Sequence, residues 1–187
     1  MVRGVPQGSV LGPLLFVLST NDLLAVTDPY CRAIMYADDT VLLTSQKSVE
    51  SLEINTYIGL NLAVDYCTRH DLVFNASRTK QVTFGTKRDE VSNLPDIDAV
   101  TSIKHLGLHL DGDLKWNEHI DVLCQRLSTA VFAIKRTLSV STEEAALTAY
   151  HALFESLMYY GVLVWGGTSA HNLRVQILQK RVIRTIK

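Results

Sequence analysis

Two adjacent carboxylates, Asp38 and Asp39, interrupt an apolar run in the stretch IMYADDTVLL, residues 34–43. Unit charges ~4 Å apart repel by roughly 1 kcal/mol in water and about 4 kcal/mol at an effective dielectric of 20. A pair at the mouth of an apolar hairpin therefore calls for a compensating cation. The same residues also suit an ordinary Asp-rich β-turn, because Asp tolerates turn geometry and hydrogen-bonds its own backbone. The pair alone leaves both readings open.

The elements around the pair are legible from pattern. CRAIMY and TVLLT are β-rich segments joined by Ala-Asp-Asp, which predicts a hairpin. Upstream, Pro13 suits the first turn of a helix, and the shared face of Leu14, Val17 and Leu18 carries that helix to about Leu24. Downstream, Ser48 caps a helix with Ile54, Ile58, Leu62 and Tyr66 at steps of four. KQVTFG reads as a strand and TKRDEVSNLPDID as a polar loop. HLGLHLDG reads as one strand, with Leu106, Leu108 and Leu110 alternating ahead of an Asp-Gly turn. From Asn117 the period becomes helical, with Ile120, Leu123, Leu127, Val131, Ile134 and Leu138 in one stripe. Ser141 and Glu144 form a capping box for a helix carrying Leu147, Tyr150, Phe154, Leu157 and Met158, and Ser169 starts a third. The expected organisation is an α+β module over residues 1–114 followed by an all-helical one over residues 115–187.

Composition narrows the function classes. Hydrophobic residues at 47% and charged residues at 20% indicate a globular chain. Cys31, Cys67 and Cys124 are odd in number and widely spaced, which suits a reducing compartment and indicates neither a disulfide framework nor a zinc site. His105 and His109 alternate with leucines and read as core or surface side chains. The apolar run after Arg3 contains Gly12 and Pro13 and lacks a clean cleavage site, so secretion is not expected. The uncharged stretch from Ser156 to Leu173 is broken by glycines, His171 and Asn172 and makes a poor membrane span. The net charge of −1 hides an asymmetry: residues 1–114 hold 9 basic and 14 acidic residues, residues 115–187 hold 9 and 5. An acidic front and a basic back fit metal binding in the first part and phosphate binding in the second.

Three stretches share an order and a spacing: RGVPQGSVLGPLLF (3–16), YADDT (36–40) and FNASRTKQVTFG (74–85). Together they resemble the palm motifs of the reverse transcriptases of non-LTR (LINE-type, jockey-like) retrotransposons. IKHLGLHLDGDLKWNEHI (103–120) is similar to the primer-grip region of that family. SLMYYGVLVWGG and LQKRVIRTIK are similar to its thumb and the segment beyond. The resemblance covers nearly the whole chain and implies a partial right-hand polymerase palm, with antiparallel strands and packed helices, followed by an all-helical thumb.

The resemblance also implies chemistry. Nucleotidyl transfer by two divalent ions needs carboxylate ligands, which makes Asp38 and Asp39 the catalytic and metal-binding candidates for Mg²⁺ or Mn²⁺. Asp38, in the turn, is the better placed of the two, because neighbouring strand residues point to opposite faces. Tyr36 and Ala37 would lie under or beside the primer end, while Tyr36 also reads as a plain hairpin aromatic. Gln7 and Gly8 match the PQG loop that shapes the nucleotide and template pocket, and a backbone without Cβ allows close approach. Arg78 stands where the family usually has a lysine, with Lys80 two residues on. Arginine neutralises phosphate but is a poor acid, so a proton-donor role for Arg78 is not expected. On the closing helix, Arg174, Lys180, Arg181, Arg184 and Lys187 fall within an arc of about 140°, and the first four of them can meet a nucleic-acid backbone, or simply face solvent, while Val175, Leu178, Val182, Ile183 and Ile186 lie largely opposite.

The implied partners are an RNA template, a DNA primer and deoxynucleoside triphosphates, with no membrane and an intracellular, nuclear or cytoplasmic, setting. The family's first catalytic aspartate and its fingers have no counterpart in these residues. The expectation is thus a polymerase fragment inactive alone; the alternative is a retained non-catalytic module that binds RNA or a protein.

Overall fold

The computed structural model describes residues 6, 8–167 and 169–186, and the side chains of all of these except 169–172. The chain divides into two compact units, Met1–Ala99 and Val100–Lys187. Both mix helices with two-stranded sheets, so the fold combines α and β elements, as the sequence predicts, with small, mainly antiparallel sheets.

In the first unit, helix α1 (Gly12–Thr20) begins with proline in its first turn, as expected. It ends earlier than its sequence predicts, and a separate short helix α2 (Leu23–Thr27) follows. The Ser19 and Thr20 hydroxyls turn back onto the Phe16 carbonyl, and the Ser19 carbonyl accepts the Tyr66 hydroxyl at 2.9 Å. These bonds compete with continuation of the helix and aim Leu23 into the core.

Strands β1 (Arg32–Tyr36) and β2 (Asp39–Leu43) form the predicted antiparallel hairpin. Helix α3 (Val49–Arg69) is capped by Ser48, whose hydroxyl accepts the Ser51 N–H. Its buried line is Gly59, Ala63 and Tyr66 rather than the predicted Ile54, Ile58, Leu62 and Tyr66; Ile54 is exposed. The helix is rotated toward its small residues because Cys31 packs there, with its Sγ only 2.6 Å from where a Gly59 Cβ would sit. Leu23, Ala63 and Tyr66 form the core of this unit, with Met35, Leu42 and Leu72 against it.

The predicted KQVTFG strand shrinks to β3 (Lys80–Gln81), which pairs in parallel with β4 (Asp98–Ala99). Pairing stops there because the Gln81 side chain serves the following loop, donating to the Ser92 carbonyl and accepting the Leu94 N–H at 2.8 Å.

In the second unit, the leucine-rich stretch predicted as one strand is a hairpin, β5 (Ser102–His105) and β6 (Leu108–Asp111). Leu106 and Gly107 both take positive φ, 44° and 83°, the combination a tight two-residue hairpin turn needs. The Asp111 carboxylate then accepts the N–H groups of Lys115 and Asn117, fastening the strand to the start of helix α4 (Asn117–Val140). The predicted stripe of α4 is the core: Ile120, Leu123, Leu127, Val131 and Ile134 are buried and Leu138 packs beside them.

Helix α5 (Glu143–Ala149) is capped by Thr142, not by the predicted Ser141–Glu144 box, because Ser141 terminates α4. A π-helical segment, Tyr150–Glu155, leads into α6 (Ser156–Tyr159). Ala146, Tyr150, Phe154 and Met158 are buried at steps of four, while Leu147, predicted in this stripe, is exposed. A 3.6-residue turn drifts away from a four-residue repeat, and the wider π turns absorb the drift. Short helix α7 (Val162–Trp165) and long helix α8 (Ser169–Ile186) complete the unit. Val175 and Val182 are buried, Leu178 and Ile186 pack against the core, and Ile183 of the predicted packing face stays exposed. No described helix is long and apolar enough to cross a membrane.

Candidate active site

The acidic pair sits at the tip of the β1–β2 hairpin. Tyr36 and Asp39 are the last cross-strand partners, and Ala37 and Asp38 make the turn between them. Ala37 has φ 53°, a left-handed conformation that costs an L-residue roughly 1–2 kcal/mol. That strain is local to the acidic tip, where such strain is often functional.

Both carboxylates are solvent-exposed, and among the described residues neither has a hydrogen-bond or ion-pair partner. Cross-strand partners share a face, so Asp39 lies with Tyr36, Ile34 and Val41 on the side away from Met35 and Leu42, which pack on the core. Tyr36 is 66% exposed there. A groove of about 380 Å³ runs along β1 beside Val17, Asn21, Leu24 and Ile34 and reaches Ala37. It brings open space to the edge of the acidic turn.

Unpartnered, exposed carboxylate oxygens are suitable donors for a hard divalent cation. Among the described residues no group of three acidic, histidine or cysteine side chains converges, so this pair fits a metal ion as part of its ligand set and not as a complete cage.

The other candidates lie at separate places. Gln7 falls outside the described residues. Gly8 has φ 83°, and nothing lies within 4 Å of where its Cβ would be. Arg78 closes a 3₁₀ turn, Ala76–Arg78, which Asn75 organises by accepting the Ser77 hydroxyl and the Arg78 N–H. The Asn-Ala-Ser stretch thus has a structural role, and it leaves the Arg78 side chain exposed and without a partner among the described residues. Lys80 is paired with Asp98 at 2.5 Å, and that bond holds the Asp98 carboxyl below its usual range. On α8, Arg174 is paired with Asp121 of α4, whereas Lys180, Arg181 and Arg184 are exposed and unpartnered among the described residues.

Sequence reasoning missed Asp111, whose carboxylate builds the joint between hairpin and helix, and Tyr160, which reaches the β5–β6 turn. The positive-φ demand of Leu-Gly in the middle of HLGLH was the available signal for the turn.

The model of the reverse transcriptase (RNA-dependent DNA polymerase) family matches residues 1–110, which include the PQG, YADD and Asn-Ala-Ser stretches. The chain belongs to the reverse transcriptase family. It is 30% identical over its full length to the probable RNA-directed DNA polymerase from transposon BS of Drosophila melanogaster. It is 27% identical, again over its full length, to the RNA-directed DNA polymerase from mobile element jockey of the same species. A putative 115 kDa protein of the type-1 retrotransposable element R1DM matches at 28% over 90% of the chain. These relatives of the reverse transcriptase chain are proteins of non-LTR retrotransposons. The chain spans 22% of the length of the first two and 17% of the third. No solved structure matches it.

Proposed function

We propose that this chain is the part of an RNA-directed DNA polymerase that presents Asp38 and Asp39 to the catalytic divalent ions, with residues 1–114 acting as the latter part of the palm and residues 115–187 as the thumb. The observation that carries this reading is the β1–β2 tip: two exposed carboxylates without a cation partner among the described residues, on a turn strained at Ala37, in a chain of this family.

In such a site Asp38 and Asp39 would hold Mg²⁺ or Mn²⁺, which lowers the barrier to phosphoryl transfer by neutralising charge on the attacking and leaving oxygens. The side chains of this chain then do the positioning. Tyr36, on the same face as Asp39, offers a flat surface for a sugar or base at the primer end. The open space over Gly8 admits a nucleotide to the backbone. Arg78 supplies a fixed positive charge for phosphate, while Lys80 is engaged with Asp98 and is less available. The exposed cations Lys180, Arg181 and Arg184 suit the backbone of an RNA template and DNA primer, and deoxynucleoside triphosphates would be the substrates. The unpaired state of Cys31, Cys67 and Cys124 supports an intracellular setting.

For the 187-residue chain on its own, the absence of a third converging ligand among the described residues favours binding without turnover. The test is Mn²⁺ titration followed by paramagnetic broadening in NMR spectra of the chain. Broadening centred on Tyr36–Thr40, lost in Asp38→Asn, is expected. Absence of broadening there at millimolar Mn²⁺, or broadening centred elsewhere, would overturn the metal assignment. Primer extension on an RNA template by the same preparation should be undetectable; extension abolished by Asp38→Ala would show that the chain turns over unaided.

A further inference from the structure

The outer edge of β1 has no strand beside it among the described residues. In a hairpin closed by two turn residues, the last cross-strand partners, here Tyr36 and Asp39, exchange hydrogen bonds. Bonded and non-bonded pairs then alternate along the ladder. Arg32, Ile34 and Tyr36 therefore aim their N–H and C=O groups at β2. Ala33 and Met35 aim theirs outward, where they meet no partner among the described residues. Natural edges are blunted by lysine, proline or a bulge, or are covered by another element. The stretch RAIMY, residues 32–36, has Arg32 as its one charge, with no proline and an unbroken register. Beside it lies the groove of about 380 Å³, bordered by the exposed Val17, Leu24 and Ile34.

This strand is complementary to itself. Antiparallel pairing of two copies about a two-fold axis at Ile34 sets Ala33 against the partner's Met35, and Met35 against the partner's Ala33. In that register both outward residues of both copies find partners within the strands, and each pair exchanges both of its N–H···O bonds. Side chains on the exposed face match as well. Ile34 meets the partner's Ile34 at the axis. On either side Arg32 lies against the partner's Tyr36, whose ring is 66% exposed and offers its face to the guanidinium. Asp39 is the cross-strand neighbour of Tyr36, so the row runs from Arg32 across the partner's Tyr36 to the partner's Asp39. A cation and a carboxylate that both lack partners among the described residues are thereby brought into one row. The free edge of β2, at Thr40 and Leu42, fits less well: pairing there would put Leu43 instead of an aromatic ring between the charges.

We propose that the edge of β1 is a self-association surface, on which two copies of the chain pair antiparallel along Arg32–Tyr36 and join their hairpins into one sheet. The interface is isologous, each copy giving the other the same residues. The pairing does not rest on the polymerase reading above, although it draws on Asp39, a carboxylate that reading gives to the metal.

The experiment follows the whole 187-residue chain by sedimentation equilibrium in the absence of divalent cations, together with residue-resolved amide exchange. A monomer–dimer equilibrium is expected. As concentration rises, exchange should slow at Ala33 and Met35, while Ile34, already bonded within its own hairpin, should not change. Ile34→Lys sets like charges against each other at the axis and should weaken the dimer by at least about fivefold. Arg32→Glu and Asp39→Arg each put like charges into the row, and each should weaken its own homodimer by a similar factor. An equal mixture of these two variants restores opposite charges in both rows, so the mixed dimer should regain the wild-type affinity; variants that had merely lost their fold would not recover on mixing. A chain that stays monomeric at every concentration leaves the edge to some other strand and overturns the proposal. Protection at Thr40 and Leu42 instead of Ala33 and Met35 would put the contact on β2 and overturn it as well. A mixture no tighter than its components overturns the register.

Discussion

Arg174 of α8 and Asp121 of α4 form an ion pair at 2.5 Å, which ties the long closing helix to the core helix of its unit. Lys187 of the predicted basic arc falls outside the described residues, and the pair divides the other four into one cation committed to the bundle and three, Lys180, Arg181 and Arg184, that face solvent.

The consequence for nucleic-acid binding is measurable. Each phosphate neutralised on duplex DNA contributes about 0.9 to the slope of log affinity against log salt. Replacing Arg181 and Arg184 with Ala should lower that slope by about one to two. Arg174→Ala should leave the slope unchanged and slightly lower the melting temperature. A fluorescence-anisotropy salt titration distinguishes these, and a slope indifferent to Arg181 and Arg184 would mark the arc as a solvated surface.

The strained turn beside the acidic pair makes a stability prediction. Ala37 holds φ 53°, a conformation that glycine adopts freely. Ala37→Gly should stabilise the first unit by about 0.5–1 kcal/mol, allowing for the greater freedom of glycine in the unfolded chain. Urea denaturation checks the sign; a destabilised variant would mean that the turn has a use for the Cβ.

Acid should weaken the second unit through His119. This imidazole is buried beside Trp116 and Trp165, its Nδ1 accepts the His109 N–H at 3.5 Å, and its Nε2 has no partner among the described residues. Burial, reinforced by the neighbouring His109 charge, holds its pKa below the ordinary 6.5. The unfolded chain then binds a proton that the folded chain refuses. Stability from this group is full above pH 6.5 and is lost as pH falls from there toward the folded value. Melts taken between about pH 7 and pH 5, above the main carboxylate range, should show this decline, and His119→Gln should flatten it.

The π segment predicts an asymmetry between two changes. Phe154 is fully buried, and Phe154→Ala should cost about 3–5 kcal/mol. Deletion of the exposed Ala152 should be far milder, because a regular α-helix with one residue fewer returns Phe154 and Met158 to the same face. Chemical denaturation of both variants is the check; equal losses would mean that the wide turns have a role beyond register.

Much of the local structure was readable without coordinates. The α4 stripe repeats at helical spacing over more than five turns, and a signal that long resists accident. The β1–β2 hairpin followed from two short β-rich runs around a turn-forming triplet, and the motif order carried the family. These features depend on residues close together in sequence, whose preferences act before any tertiary contact forms.

What sequence left open depended on partners brought together by packing. Whether α1 runs on past Thr20 is settled by Tyr66, 47 residues later, taking the Ser19 carbonyl. Which face of α3 is buried is settled by Cys31 finding Gly59. Lys80 and Arg174 look like free cations in a string of letters, and only the fold sets Asp98 and Asp121 against them. The break in the leucine strand at Leu106–Gly107 is held by a hydroxyl 54 positions away. A periodic pattern states that a face is apolar, but the length of each element, its rotation and the pairing of its charges are set by the neighbour that packs on it, and that neighbour exists only once the chain has folded.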